Sequence, residues 1–469
     1  MESTMEFRRE RQQMRCILMA LAALGVALGA PRPSAAQSGA LTQLPHPAAC
    51  IRENGDGVQC TDGVGMDGAY DVTVSPDGKN VYAAAFQSDG VAVFSRNPST
   101  GELTQLPAPD GCLAVSGDGV TCTGVLGVGA AAAVVVSPDG KQVYVGGLGG
   151  IGVFARDTST GKLTQLPGTD GCLLLVGGGA TGCADIVGPV RPTGLLITAD
   201  GEHLYASGYN DDAVAVFARD LLTGALTQLP APAGCIAEVG DGIECTDAVG
   251  LDGADSMAIS RNGKQVYVAA SDGDTVAVFE RDRTTGALTQ FPAPDGCIAE
   301  NGDGVTCTDA IGLDGPASIA ISRTGRQVYV ASVIGNTIAI FARNAATGVL
   351  TQLAAPAGCV SAMGDGVTCS DANAMFGPTS IALTSNGRHA YVTAANSSAV
   401  VVFARDKKTG ALTQLAAPNG CMANTGDGIT CIKATAVAGA YAVAMPKNAR
   451  HVYVASYSGG SIAAFEREP

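Results

Sequence analysis

Apolar residues recur along this chain in short runs separated by turn residues, and residues 224–285 show one complete unit. Residues 256–260 (SMAIS) form a short apolar run, followed by Arg261-Asn262-Gly263, where Asn and Gly tolerate positive φ. Residues 266–270 (VYVAA) make a second run, ending at Ser271-Asp272-Gly273. Residues 275–280 (TVAVFE) alternate, with Val276 and Val278 on one face and Ala277 and Phe279 on the other. A turn at Thr284-Thr285-Gly286 leads to residues 288–291 (LTQF), a fourth strand. Outside the N-terminal segment, no stretch sustains a helical period.

The unit repeats. Leu-Thr-Gln begins at residues 41, 103, 163, 226, 288, 350 and 412, and an apolar-Tyr pair begins at 81, 143, 204, 266, 328, 390 and 452. Both markers recur about every 62 residues. Four short strands repeated seven times predict an all-β fold, a seven-bladed β-propeller of four-stranded antiparallel blades. The first Leu-Thr-Gln segment precedes any inner strand, while the last copy stops after residues 461–465 (SIAAF) without a fourth strand of its own. The N-terminal strand is therefore expected to complete the last blade, which hides two sheet edges.

Composition adds compartment. Arg8, Arg9, Arg11 and Arg15 precede the apolar residues 16–30, and Ser34-Ala35-Ala36 offers small residues for cleavage, so residues 1–36 read as a signal peptide. The apolar run is short for a membrane span. Residues 37–469 are then a single propeller domain with no transmembrane span, secreted or periplasmic and expected to be monomeric. The formal charge of −15 becomes −17 without the leader. An acidic chain with scattered Lys and Arg excludes a nucleic-acid interface.

The cysteines agree with export. Cys16 lies in the leader, and the other 14 form seven evenly spaced pairs. They are Cys50 with Cys60, Cys112 with Cys122, Cys172 with Cys183, Cys235 with Cys245, Cys297 with Cys307, Cys359 with Cys369, and Cys421 with Cys431. One disulfide per repeat is the expectation; zinc sites space their cysteines more closely and would need further ligands here.

The segments VSPDGKNVYAAAFQSDGVAVFSRNPSTGELTQL (residues 74–106) and ISRNGKQVYVAASDGDTVAVFERDRTTGALTQF (residues 259–291) resemble the lactonase-like seven-bladed β-propellers, which include 6-phosphogluconolactonase-type and YVTN-type repeats. The resemblance covers nearly all of the mature chain. It implies the fold and, as the family's chemistry, lactone hydrolysis. Its motif specifies turns and core, not chemistry. The cysteine loop departs from the usual lactonase blade. It joins the outer strand of one blade to the inner strand of the next, on the face expected to carry binding sites.

Six of these loops contain Gly-Asp-Gly, with Asp56, Asp118, Asp241, Asp303, Asp365 and Asp427, whereas the third has Gly178. Copies one, four and five add two more carboxylates each: Asp62 and Asp67, Asp247 and Asp252, Asp309 and Asp314. Calcium, which takes several hard oxygen ligands, is the sharper reading of these acids, and local turn chemistry the plainer one. No cofactor is required.

A localised site should sit where one copy departs from the others. His203, His389 and His451 share the position before the second strand, where other copies have Asn or Gln, and are expected to be exposed and far apart. No Ser-His-Asp or metal cluster follows from them. Tyr70, Phe86, Tyr441 and Tyr457 are aromatic exceptions of the first and last blades, which are neighbours in a closed ring, and are expected to form one patch suited to a sugar or peptide. The third copy gains Arg191, which could meet an anionic substrate or a nearby carboxylate, and Tyr209 ends its second strand. The resulting expectation is a module that binds a protein, peptide or carbohydrate through its stapled loop face. Lactone hydrolysis and a calcium-tuned surface module are the alternatives.

Overall fold

The computed structural model describes residues 37–175, 182–188 and 191–469. The leader with Cys16, and Gly178, lie outside the described residues. Residues Ser38–Pro469 form one compact unit of seven sheets. Blade four is representative. Its inner strand is Ala254–Ile259, its second strand Gln265–Ala270 and its third Thr275–Arg281, all antiparallel. The second strand is buried at every position, which its unbroken VYVAA run requires.

The outer strand differs from the single LTQF strand expected. Leu288–Gln290 pairs with one end of the third strand, and Cys297–Glu300 pairs with its other end. Pro292 and Pro294 occupy the gap, and proline has no N–H for a ladder bond. Thr308–Ala310 then runs parallel to the cysteine strand.

All seven expected cysteine pairs are formed, but the cysteines belong to the sheet edge and not to a free loop. The first of each pair, Cys50, Cys112, Cys172, Cys235, Cys297, Cys359 or Cys421, opens the strand that pairs with the third strand. The second, Cys60, Cys122, Cys183, Cys245, Cys307, Cys369 or Cys431, stands immediately before the short parallel strand. Each bond thus joins two neighbouring strands at the base of the intervening loop. The Cα atoms lie 4.8 Å apart in the Cys112–Cys122, Cys172–Cys183, Cys359–Cys369 and Cys421–Cys431 pairs, and 4.7 Å apart in Cys297–Cys307. Cys60, Cys307 and Cys431 are buried, whereas Cys122, Cys183, Cys245 and Cys369 are partly exposed at the rim. The sequence could not show this, because strands of two or three residues carry no readable alternation.

The ring closes as expected. Leu41–Gln43 and Cys50–Glu53 both pair with the third strand of blade seven, Ser461–Arg467. The Gln of each Leu-Thr-Gln fixes the linker arriving from the preceding blade. Gln290 accepts the Val249 N–H at 3.0 Å through Oε1 and donates to its carbonyl at 2.6 Å through Nε2.

The core lies between blades. Tyr205, Val214 and Val216 of blade three pack against Leu251, Val266, Val268 and Phe279 of blade four. Burying each such large apolar side chain stabilises the fold by roughly 1.5–3 kcal/mol. Polar clasps join the same blades. Arg281 Nε donates to Tyr205 Oη at 2.7 Å, and Tyr205 donates onward to the Gly286 carbonyl at 2.7 Å. Gly286 has φ of +84°, and a Cβ there would meet the His203 ring at 2.2 Å, so only glycine fits.

These clasps correct the reading of the histidines. His203, His389 and His451 are buried, not exposed. His203 Nδ1 stands 2.7 Å from Arg281 Nη2, and His451 Nδ1 stands 2.7 Å from Arg96 Nη2. Asn80 and Gln142 receive the equivalent guanidinium through a side-chain oxygen. The position selects a buried acceptor, which a neutral imidazole supplies as well as an amide.

Acid sensitivity follows. Burial, aided by Arg96, pushes His451 down to about 4. The unfolded chain takes up this proton below the ordinary value near 6.5, while the folded chain excludes it. This contribution is fully present above pH 6.5 and is lost as pH falls toward 4, reaching roughly 2 kcal/mol by pH 5. H451Q, which installs the side chain of Gln142, is expected to remove that loss. Urea unfolding of both proteins at pH 7.5 and pH 5 measures it.

Candidate site at the channel mouth

Every inner strand slips register at its second position, between Ala254 and Ser256 in blade four and between Ala69 and Asp71 in blade one. Such a bulge re-aims one side chain. Around the ring this position holds Tyr70, Ala132, Thr193, Asp255, Ala317, Thr379 and Tyr441, all of which line the central channel. In four of the seven blades, at Asp71, Ser256, Ser318 and Ser380, the third position holds a strand-to-strand fastener. Ser256 Oγ accepts the Ile319 N–H at 3.4 Å, and Ser318 Oγ accepts the Ile381 N–H at 3.3 Å. Asp71 does the same job in blade one, accepting the Val134 N–H at 2.9 Å through Oδ2 and the Val72 N–H at 2.8 Å through Oδ1.

The channel mouth holds an open cavity of about 160 Å³. Its lining includes two carboxylates, five aliphatic hydroxyls and two tyrosines, with no Lys, Arg or His among the described lining residues. Burial pushes Asp255 up to about 7, against the hydrogen bond from Thr193. Burial likewise pushes Asp71 up to about 6, against its two backbone amides. Neither acid stood out in the sequence, because Asp at the start of a strand shortly after Met-Asp-Gly or Leu-Asp-Gly reads as a turn residue.

The structure brings the first-blade and last-blade aromatics together. Tyr70 and Tyr441 rings lie 4.1 Å apart, and Tyr441 donates to Tyr70 Oη at 2.6 Å. Tyr457 lies 6.2 Å from both, and Phe86 lies 5.9 Å from Tyr70. Tyr209 makes no ring contact with this group among the described residues and donates to Asp272 Oδ1 at 2.6 Å. Arg191 is exposed, just before the inner strand of blade three, Pro192–Ile197.

The stapled loops leave from the same end of each blade as the turns after the second strands, but at the outer edge. Their Gly-Asp-Gly acids are turn caps. Asp241 Oδ1 accepts the N–H groups of Ile243, Glu244 and Cys245 at 2.9, 2.7 and 3.3 Å. Those amides hold its carboxyl below the ordinary range. Asp56 and Asp303 make the same three contacts, as do Asp118, Asp365 and Asp427, whose third amides are those of Cys122, Cys369 and Cys431.

Asp62, Asp247 and Asp309 are exposed on the short parallel strands, and Asp67, Asp252 and Asp314 lie in the linkers toward the next inner strands. The convergent group of three among the described residues is instead Asp200, Glu202 and His203. There Asp200 Oδ1 accepts from Thr198 Oγ1 and the Glu202 N–H, while His203 meets Arg281. With one oxygen of each Gly-Asp-Gly carboxylate engaged by amides and the other loop acids spread over strands and linkers, millimolar calcium added to chelated protein is expected to leave the melting temperature unchanged. A rise of several degrees would instead assign the ion to the loops.

Among the described residues, no helix is long and apolar enough to cross a membrane. Residues 301–425 match the family model described as lactonase, 7-bladed beta-propeller. No curated protein matches the chain. Among solved structures, a candidate 6-phosphogluconolactonase from Bacteroides fragilis is similar at 22% identity and a TM-score of 0.50, covering 74% of this chain and 82% of its own. The hydrazine synthase of Kuenenia stuttgartiensis is similar at 14% identity and a TM-score of 0.52, covering 86% of this chain and 97% of the other. At these identities the likeness concerns the fold. The chain is thus a seven-bladed β-propeller that resembles the lactonase-like family, in sequence over residues 301–425 and elsewhere in its fold.

Proposed function

We propose that the protein is an exported binding module whose site is the channel mouth at the seam between blades seven and one. One observation carries this reading. The seam departs from the repeat to gather Tyr70, Phe86, Tyr441 and Tyr457 beside a polar cavity. Where blades two and five place Ala132 and Ala317, the seam places Tyr70 and Tyr441, and aromatic rings supply large rigid contact area. The cavity of about 160 Å³ falls below the usual range for drug-sized ligands, so it suits a small molecule or a single group of a larger partner. Seven disulfides fit an oxidising compartment. They staple the outer rim, so the binding site belongs to the centre and not to the stapled loops themselves.

A thermal-shift screen of sugars, peptides and amines tests the reading. For a ligand so found, Y441A is expected to weaken binding roughly tenfold to thirtyfold with the circular dichroism spectrum unchanged. A ligand indifferent to both Y441A and Y457A would place the site elsewhere.

Lactone hydrolysis is the second reading. It is favoured by the family match and by Asp255, whose carboxyl near 7 is suited to a general base at neutral pH. Turnover of a lactone panel that D255N abolishes would establish it, and loss on R191A would bring Arg191 into that site.

A further inference from the structure

We infer that the ligand of the channel is a small organic cation, an alkylammonium ion paired with Asp255 and walled by Tyr70 and Tyr441. The inference rests on the proposed binding site and names its ligand class. It begins from the two positions of each inner strand that face the channel. At the third position the polar side chains are consumed by the fold: Ser256 and Ser318 each take a backbone amide from the next strand, and both oxygens of Asp71 take amides. At the second position Thr379 serves the backbone, donating to the Tyr441 carbonyl at 2.7 Å, while the Thr193 hydroxyl lies 3.4 Å from the Ala254 carbonyl and also reaches the neighbouring Asp255 carboxyl. Asp255 occupies that position with a charge no other copy has there, and the fold needs none.

No cationic side chain among the described residues lines the cavity to neutralise it. A partly buried carboxylate without a counter-charge is costly, and a bound cation would relieve that cost. The neighbouring groups favour an organic cation. Tyr70 and Tyr441 line the same cavity, and phenol rings attract ammonium groups through their negative faces. Thr193 and Thr379 line it too, and because their hydroxyls act as donors their oxygens can still accept from ammonium N–H groups. Asp272, held by Tyr209, contributes to the negative field felt by Asp255, and the chain as a whole carries a charge of −15. Such a field draws cations toward the mouth. A bare calcium ion would seek six to eight oxygens, whereas the oxygens of Asp71 are already committed to amides.

The test is isothermal titration of the whole propeller at pH 8 with ethanolammonium and tetramethylammonium chloride. Ethylene glycol, glucose and calcium chloride are the comparison ligands. D255N and D255T are the variants, the second installing the residue that Thr193 and Thr379 already place at this position. Binding of an ammonium probe, weakened at least tenfold in both folded variants, is the expected result. Glucose binding that survives D255T but is lost in Y441A would overturn the cation while keeping the binding site. Calcium binding in place of the amines would overturn it, as would the absence of binding by either ammonium probe. In that last case the binding reading is judged separately by the wider screen and its Y441A comparison.

Discussion

Replacing Arg281 with alanine is expected to destabilise the propeller by about 3–5 kcal/mol, the cost of taking a charged donor away from three buried neutral acceptors. Arg281 is 3% exposed and belongs to the third strand of blade four. It donates to Tyr205 of blade three and to the Gly263 carbonyl at 3.1 Å, and its Nη2 meets His203 of blade three. Truncation strands these acceptors in a dry interface, and each unsatisfied group costs about 1–3 kcal/mol. R281K should recover only part of the loss, because an ammonium cannot present three donors in one plane. Guanidinium unfolding of the three proteins measures both effects. A loss under about 1 kcal/mol for R281A would mean that apolar packing alone joins the blades.

The disulfides should matter less singly and more together. Removing one pair, as in C235S/C245S, opens a loop with a sequence separation of 10 residues. The chain-entropy model gives such a loop about 2–3 kcal/mol. The loop also has its own cap, with three amides on Asp241, so its local shape should largely survive. Full reduction should cost far more, since all seven blades lose their staple in the same treatment. Ligand binding at the channel mouth should be unchanged in C235S/C245S, because that staple lies on the outer edge of blade three. Calorimetric melting with and without reductant, together with a binding titration of the double variant, separates the two roles.

The blades were legible because their apolar runs follow the pleat and their turns carry Asn, Asp and Gly at recurring offsets. The cysteine pairs were legible from spacing alone, although Cys122, Cys183, Cys369 and Cys431 gave no sign that a short parallel strand starts just after each. The aromatic seam was legible too. Comparing copies isolates Tyr70, Phe86, Tyr441 and Tyr457, and ring closure makes the first and last blades neighbours. What escaped the sequence depends on contacts between blades. Arg281 and Tyr205 are 76 residues apart, so nothing local shows that one clasps the other or that His203 is buried beside them. The inner-strand bulge was equally silent, since no residue type marks it in all seven copies. Without the bulge, Asp255 cannot be assigned to the channel from its place in the chain. The loop acids drew attention by their number, yet the capping contacts of Asp241 and Asp303 explain their recurrence.

Ligand recognition is proposed to occur in the channel at the seam of blades seven and one. A crystal structure of the protein soaked with the tightest ligand from the screen tests it most directly. Ligand density in contact with Tyr70, Tyr441 and Asp255 is the expected result. Ordered ligand on the disulfide-closed rim, with the channel unchanged, would contradict it.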